Sequence, residues 1–122
     1  MQMKNGKLAS GSSDGSIRLW EIASGELVSK LEGHSGGITS LKFDTDGKLL
    51  YSASTDRTVK VWNLETNTLV DTISCFKGPV TCLEVDDEYI VTGSEDGIVR
   101  VHLKKNRYFL FSPLLFSFFL FF

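Results

Sequence analysis

Hydrophobic and polar residues alternate in short bursts along most of this chain. Ile17-Arg18-Leu19, Val59-Lys60-Val61 and Val99-Arg100-Val101 each read apolar, basic, apolar, with β-branched residues at most apolar positions. A period of two with β-branched enrichment predicts strands rather than helices. Between the bursts stand Asp-Gly pairs at 14 to 15, 46 to 47 and 96 to 97. That pair tolerates the positive φ that a tight hairpin demands, so the expected pattern is an antiparallel meander.

The bursts are copies of one another. Leu8-Ala9-Ser10-Gly11-Ser12-Ser13-Asp14-Gly15-Ser16-Ile17-Arg18-Leu19-Trp20 returns 42 residues later as Leu50 to Trp62, and 40 residues after that as Ile90 to His102. A second stretch agrees, since Ile38-Thr39-Ser40-Leu41-Lys42-Phe43 recurs 42 residues on as Val80-Thr81-Cys82-Leu83-Glu84-Val85. A repeat of this length is the mark of an array of similar supersecondary units.

These residues resemble the WD-repeat family of β-propellers, whose units run about 40 to 45 residues with Gly-His near the start and Trp-Asp near the end. Gly33-His34 precedes Asp56 and Trp62 at the family's usual distances, although the literal Trp-Asp is replaced by Trp20-Glu21, Trp62-Asn63 and His102-Leu103. The resemblance implies an all-β fold, an incomplete β-propeller of antiparallel four-stranded blades. It places the strands of one complete blade near 37 to 43, 48 to 54, 58 to 63 and 68 to 74. Before it, 7 to 12, 16 to 21 and 26 to 31 would form a unit lacking its innermost strand. After it, 79 to 85, 89 to 94 and 98 to 103 would form a unit lacking its outer one. The expected organisation is therefore a lead at 1 to 6, a repeat region at 7 to 103 (partial blade 7 to 31, full blade 33 to 74, partial blade 76 to 103), and a tail at 104 to 122. Ten strands make about two and a half blades, fewer than the four or more a closed ring needs. The chain is expected to be a fragment or truncated form that self-associates through exposed blade edges.

By the same resemblance, His34, Ser52, Asp56 and Trp62 form a hydrogen-bonded tetrad with a structural role. A hydroxyl can bridge an indole N–H and an imidazole, and a carboxylate can set the imidazole tautomer. Serine, histidine and aspartate together also suggest a hydrolase. However, Ser52 sits mid-strand between Tyr51 and Ala53, without the Gly-x-Ser-x-Gly elbow a nucleophile uses. No catalytic residue is assigned. Ser13, Thr55 and Glu95, each just before a turn aspartate, and Ser35 and Lys77, in the loops entering a blade, vary between otherwise matching units. They are either partner contacts or ordinary solvated positions.

Charge and composition narrow the function classes. The formal net charge is −2, and residues 1 to 103 carry 10 Lys or Arg against 15 Asp or Glu, so there is no direct nucleic-acid signal. Cys75 and Cys82, with His34 and His102, have no metal-ligand spacing, and no metal or cofactor is expected. Two cysteines are too few for a disulfide scaffold, which favours an intracellular setting, cytoplasmic or nuclear. Cys82 reads as a small core residue, and Cys75 as near a loop.

The last fourteen residues are different in kind. Residues 109 to 122 contain only Phe, Leu, Ser and Pro, and hold seven of the nine phenylalanines. A helix from Tyr108 to the end would rise about 22 Å, short of the roughly 30 Å of a hydrocarbon core. Three readings remain open: a membrane anchor, a strand packed on an exposed edge, or a translated pyrimidine tract, since pyrimidine-only codons specify these four amino acids. Read as a whole, the chain is expected to be a non-enzymatic scaffold or adaptor that binds other proteins. The alternative is a membrane-associated WD-repeat protein anchored by the tail.

Overall fold

The computed structural model describes residues 2–74 and 77–104. Cys75, Phe76, Lys105, and every reading of the tail from 105 to 122 fall outside the described residues. Eleven strands form among them: β1 Gln2–Lys4, β2 Lys7–Gly11, β3 Ile17–Glu21, β4 Leu27–Leu31, β5 Ile38–Phe43, β6 Leu49–Ser54, β7 Val59–Asn63, β8 Thr68–Ile73, β9 Val80–Val85, β10 Tyr89–Ser94 and β11 Val99–Leu103. They pair as three antiparallel meanders, ordered β1-β2-β3-β4, β5-β6-β7-β8 and β9-β10-β11.

The hairpins follow the turn chemistry. Gly15, Gly47 and Gly97 all take positive φ, at 89°, 76° and 81°. The middle unit has Arg57 where its neighbours have Gly15 and Gly97, and Arg57 adopts the same left-handed conformation at 72°. Beside each of these four turns an aspartate accepts the backbone N–H two residues on: Asp14 from Ser16, Asp46 from Lys48, Asp56 from Thr58 and Asp96 from Ile98. Such local bonds hold the turn without help from the rest of the fold.

One expectation is corrected. The first unit does not lack its innermost strand, because Gln2–Lys4 pairs with Lys7–Ala9 across a turn at Asn5 and Gly6, both at positive φ. Two sheets therefore have four strands, and the strands number eleven rather than ten. With only three residues, β1 is too short to show a period of two, which is why the pattern missed it.

The sheets stack through two cores. Ala9, Ile17, Leu19 and Leu31 of the first sheet meet Leu41, Phe43, Leu50, Trp62 and Leu64 of the second. From the opposite face of the second sheet, Tyr51, Ala53, Val59, Val61 and Ile73 meet Val80, Leu83 and Ile90 of the third. The middle sheet is thus covered on both faces, and five consecutive residues of β6, from Leu50 to Ser54, are buried. At a typical 1.5–3 kcal/mol per buried aliphatic or aromatic side chain, these two interfaces are the main source of stability.

Register puts the repeat in three dimensions. Trp20 lies opposite Leu8, Trp62 opposite Leu50 and His102 opposite Ile90, the same place on three successive sheets. In both four-stranded sheets the pairing to the outer strand slips by one residue at the tryptophan. A slip of this kind bends the strand and re-aims the side chain at that point.

Candidate functional site: a buried network beneath one rim

The middle sheet brings His34, Ser52, Asp56 and Trp62 together. The indole Nε1–H of Trp62 donates to Ser52 Oγ at 2.8 Å, and that hydroxyl bonds His34 Nε2 at 2.6 Å. On the other side of the ring, His34 Nδ1 bonds Asp56 Oδ2 at 2.8 Å. Asp56 also accepts the Ser35 N–H at 3.0 Å, the Thr58 N–H at 2.9 Å and the Thr58 hydroxyl at 2.5 Å. A chain of bonds therefore runs from loop 33 to 37 through strand β6 to strand β7 and the turn between them.

Electrostatics fixes the direction of each bond. Burial of the His34 ring lowers its pKa and outweighs the pull of Asp56, so the imidazole is neutral. For Asp56, burial pushes upward, but the Thr58 hydroxyl and His34 outweigh it and hold the carboxyl below its usual range. An ionised carboxylate can only accept, so Nδ1 carries the proton, Nε2 is the acceptor, and Ser52 donates to it while accepting from Trp62. The arrangement has the outline of a serine-histidine-aspartate nucleophile. Yet Ser52 is 0 % exposed, with an indole N–H already on its oxygen, so no substrate carbonyl can approach it.

Backbone approach explains why the loop is glycine-rich. A Cβ on Gly33 would sit 3.1 Å from the Trp62 ring, and one on Gly36 would sit 2.5 Å from Thr55 Oγ1 and 2.8 Å from the Asp56 nitrogen. Only glycine lets loop 33 to 37 lie this close to the turn.

The outer units hold variants of the network. In the first, Trp20 Nε1–H donates to Ser10 Oγ at 3.1 Å. The Ser16 hydroxyl and N–H hold the Asp14 carboxyl down at about 2. In the third, Arg100 takes the carboxylate: its Nη2 donates to Asp96 Oδ2 at 2.8 Å and its Nη1 to Ser94 Oγ at 3.0 Å. This guanidinium lies buried at 4 % exposure and holds Asp96 far below the usual carboxylate range. Nothing in the repeat marked Arg100 for this role, since Arg18 and Lys60 occupy the same position with other partners. His102 is buried too, and burial, reinforced by the charge of Arg100, drives its pKa down to about 4.

Above the network runs a rim that gathers the five variable residues. Ser13, Ser35, Thr55, Lys77 and Glu95 are all exposed. The turn with Ser13 touches loop 35 to 37, where a Cβ on Gly37 would lie 3.2 Å from Ser13 Cα, and the Thr55 N–H donates to Gly37 O at 3.0 Å. In the next unit the Glu95 N–H donates to Pro79 O at 2.9 Å, and the Lys77 N–H donates to Asp96. The opposite rim is tied separately: Asn5 Nδ2 donates to Asp46 O, and the Lys104 ammonium pairs with Asp44 and donates to Asp86 O.

Cys82 is corrected from core to surface. It pairs with Gly93 on the outward face of the third sheet, where no further described sheet covers it, and its thiol is exposed. Its counterpart Ser40, on the covered middle sheet, is only partly exposed. Among the described residues, no group of three or more His, Cys, Asp or Glu could hold a metal ion, and no helix is long and apolar enough to cross a membrane.

Comparison with known proteins agrees with this geometry. A family profile described as "WD domain, G-beta repeat" matches residues 3–21, 25–63 and 67–102. Each of the two longer matches takes in the outer strand of one sheet and the three inner strands of the next, so a sequence repeat straddles two sheets. CCR4-associated factor 4 of Saccharomyces cerevisiae is 52% identical over 46 residues, which is 38% of this chain and 7% of that protein. Mitochondrial division protein 1 of Eremothecium gossypii is 49% identical over 45 residues, 37% of this chain and 6% of that protein. Two solved structures share the fold. "Structure of U3-55K" matches with a TM-score of 0.79 at 34% identity over 84% of this chain and 32% of that one. "Crystal structure of RRP9 WD40 repeats" matches at 0.75 and 36%, over 79% and 30%. The match spans less than a tenth of those two named relatives and about a third of the solved chains.

Proposed function

The chain belongs to the WD40 repeat family, and from that premise we propose that it is a non-enzymatic scaffold or adaptor, binding other proteins through the rim that carries Ser13, Ser35, Thr55, Lys77 and Glu95. The observation that supports this is one of placement. These five residues, at two repeat positions that vary between units, are all exposed and sit on turns and loops above a network in which the matching residues are spent on holding those turns. Contacts built on loops over a rigid sheet scaffold are the usual way such folds bind.

The matches to the two named relatives run over 46 and 45 residues, about the length of one repeat. Partner choice then rests with the rim. Ser13 and Thr55 offer hydroxyls, while Lys77 and Glu95 put opposite charges on adjoining loops, a surface suited to a polar protein segment. Cysteine usage suits an intracellular location.

The test compares two rims on the full chain. Proximity labelling in cells would be run with the wild type, with Ser13→Arg, Thr55→Arg and Glu95→Lys combined, and with Thr45→Lys and Asp87→Lys combined on the opposite rim. The expected result is a set of labelled proteins kept by the opposite-rim variant and lost by the first. Loss with the opposite-rim variant alone, or equal sets in all three, would refute the assignment.

A further inference from the structure

The turn that joins β1 to β2 consists of Asn5 and Gly6, at φ 52° and 77°, and is the one Asn-Gly pair in the sequence. An asparagine followed by glycine can react with its own backbone, because the glycine nitrogen is one ring closure from the amide carbon and no Cβ crowds its approach. The turns at Asp14-Gly15, Asp46-Gly47 and Asp96-Gly97 have the same glycine, but in each its N–H is spent inside the turn. Gly15 donates to Ser12 O at 3.2 Å, Gly47 to Asp44 O at 3.0 Å and Gly97 to Ser94 O at 3.1 Å. Among the described residues the Gly6 N–H has no acceptor. The other described asparagines are worse placed: the N–H after Asn63 donates to Lys48 O at 3.0 Å, and Asn67 is followed by the β-branched Thr68.

Solvent reaches this turn because it lies at the rim, whatever covers the faces of its sheet. In the middle sheet, which is covered on both faces, Asp46 in the turn joining the same two strands is exposed, as Asn5 is.

We propose that Asn5 is a site of spontaneous deamidation. The Gly6 nitrogen gives up its proton and bonds to Asn5 Cγ; the bond from Cγ to Nδ2 breaks, and Nδ2 takes a proton and leaves as ammonia. The cyclic imide then takes up one water. Opening at Cγ gives an aspartate, and opening at the backbone carbonyl gives an isoaspartate whose main chain runs through Cγ. Nothing is oxidised or reduced.

The reaction undoes a contact between two sheets. Asn5 Nδ2 donates to Asp46 O at 3.2 Å, and a Cβ on Gly47 would collide with that nitrogen. Both products lose the donor and gain a carboxylate, which can only accept. The isoaspartate also adds a backbone atom to a two-residue turn whose ends are fixed by the pairing of Lys4 with Lys7. The first sheet's tie to the second therefore loosens on the rim opposite Ser13 and Thr55, and β1 loosens with it. This holds whether or not that other rim binds a partner.

The test incubates the full chain for weeks at neutral pH and physiological temperature, then cuts after glutamate, which puts Asn5, Asn63 and Asn67 in separate peptides. Mass spectrometry should show the Asn5 peptide converting several-fold faster than the other two, into separable aspartyl and isoaspartyl forms. Gly6→Ala, whose Cβ meets open space, should slow the conversion several-fold. The converted chain, separated by its extra negative charge, should exchange the amide hydrogens of β1 and β2 faster than the fresh chain. No conversion at Asn5, or conversion no faster than at Asn63 and Asn67, would overturn the site. Unchanged exchange in the converted chain would overturn the loosening.

Discussion

Ser52→Ala and Ser10→Ala remove the same hydroxyl from equivalent places, yet they should differ sharply in cost. Ser52 is 0 % exposed and its oxygen joins two bonds, from Trp62 Nε1–H at 2.8 Å and to His34 Nε2 at 2.6 Å. Its removal leaves a buried donor and a buried acceptor unsatisfied, each costing roughly 1–3 kcal/mol. A loss of about 3 kcal/mol follows, which in a domain of this size lowers the melting temperature by more than about 10 °C. Ser10 accepts a single bond at 3.1 Å from Trp20, which is partly exposed, so water can replace the hydroxyl. The expected cost there is under about 1 kcal/mol.

Urea unfolding of both variants, followed by circular dichroism at one fixed low protein concentration, measures the contrast. In a Trp62→Phe background the Ser52→Ala cost should shrink, because the donor it would strand is already gone. Equal losses for the two serines, or a Ser52→Ala loss below about 0.5 kcal/mol, would refute the view that the closed network stabilises the middle blade.

Two further outcomes follow. His34 and His102 both have pKa values below the 6.5 of an unfolded histidine, His102 at about 4. Their stabilising effect is complete above pH 6.5 and lost as pH falls, because the unfolded chain takes up protons that the fold refuses. The His102 shift is worth about 3 kcal/mol between pH 6.5 and 4, so pH-dependent denaturation of His102→Leu should give a visibly flatter curve over that window; an unchanged slope would contradict it. Below pH 3.8 the depressed carboxyls of Asp56 and Asp96 should add further loss. Gly97→Ala meets open space and should cost only the left-handed strain of about 1 kcal/mol. Gly15→Ala would also put a Cβ 2.6 Å from the His34 carbonyl oxygen, so thermal melts should show it about 1–3 kcal/mol worse than Gly97→Ala.

Ten of the eleven strands could be placed from the sequence to within a residue or two, because alternation and turn residues marked the strands and the WD-repeat resemblance supplied their bounds. The network of His34, Ser52, Asp56 and Trp62 was implied by the WD-repeat resemblance, and three of its members also recur with the repeat as Ser10, Asp14 and Trp20. Arg100 could not: a basic residue stands at that position in every unit, and only the distance to Asp96 shows which one is paired and buried. Cys82 misled for a related reason, since its alignment with Ser40 carried no information about whether another sheet lies outside it.

The amino-acid sequence by itself determined the unit: ten of the strands, the positive φ of the three Asp-Gly glycines, and which side chains share a face. These are set by interactions a few residues apart, and they repeat because the residues do. The tertiary structure alone decided which faces are covered, that Gln2–Lys4 completes a sheet, and that the outer-strand pairing slips at both tryptophans. Coverage depends on the neighbouring sheet, where burial is a property of the stack rather than of any stretch within it, while the β1 pairing and the two slips are hairpin details that a period of two does not record.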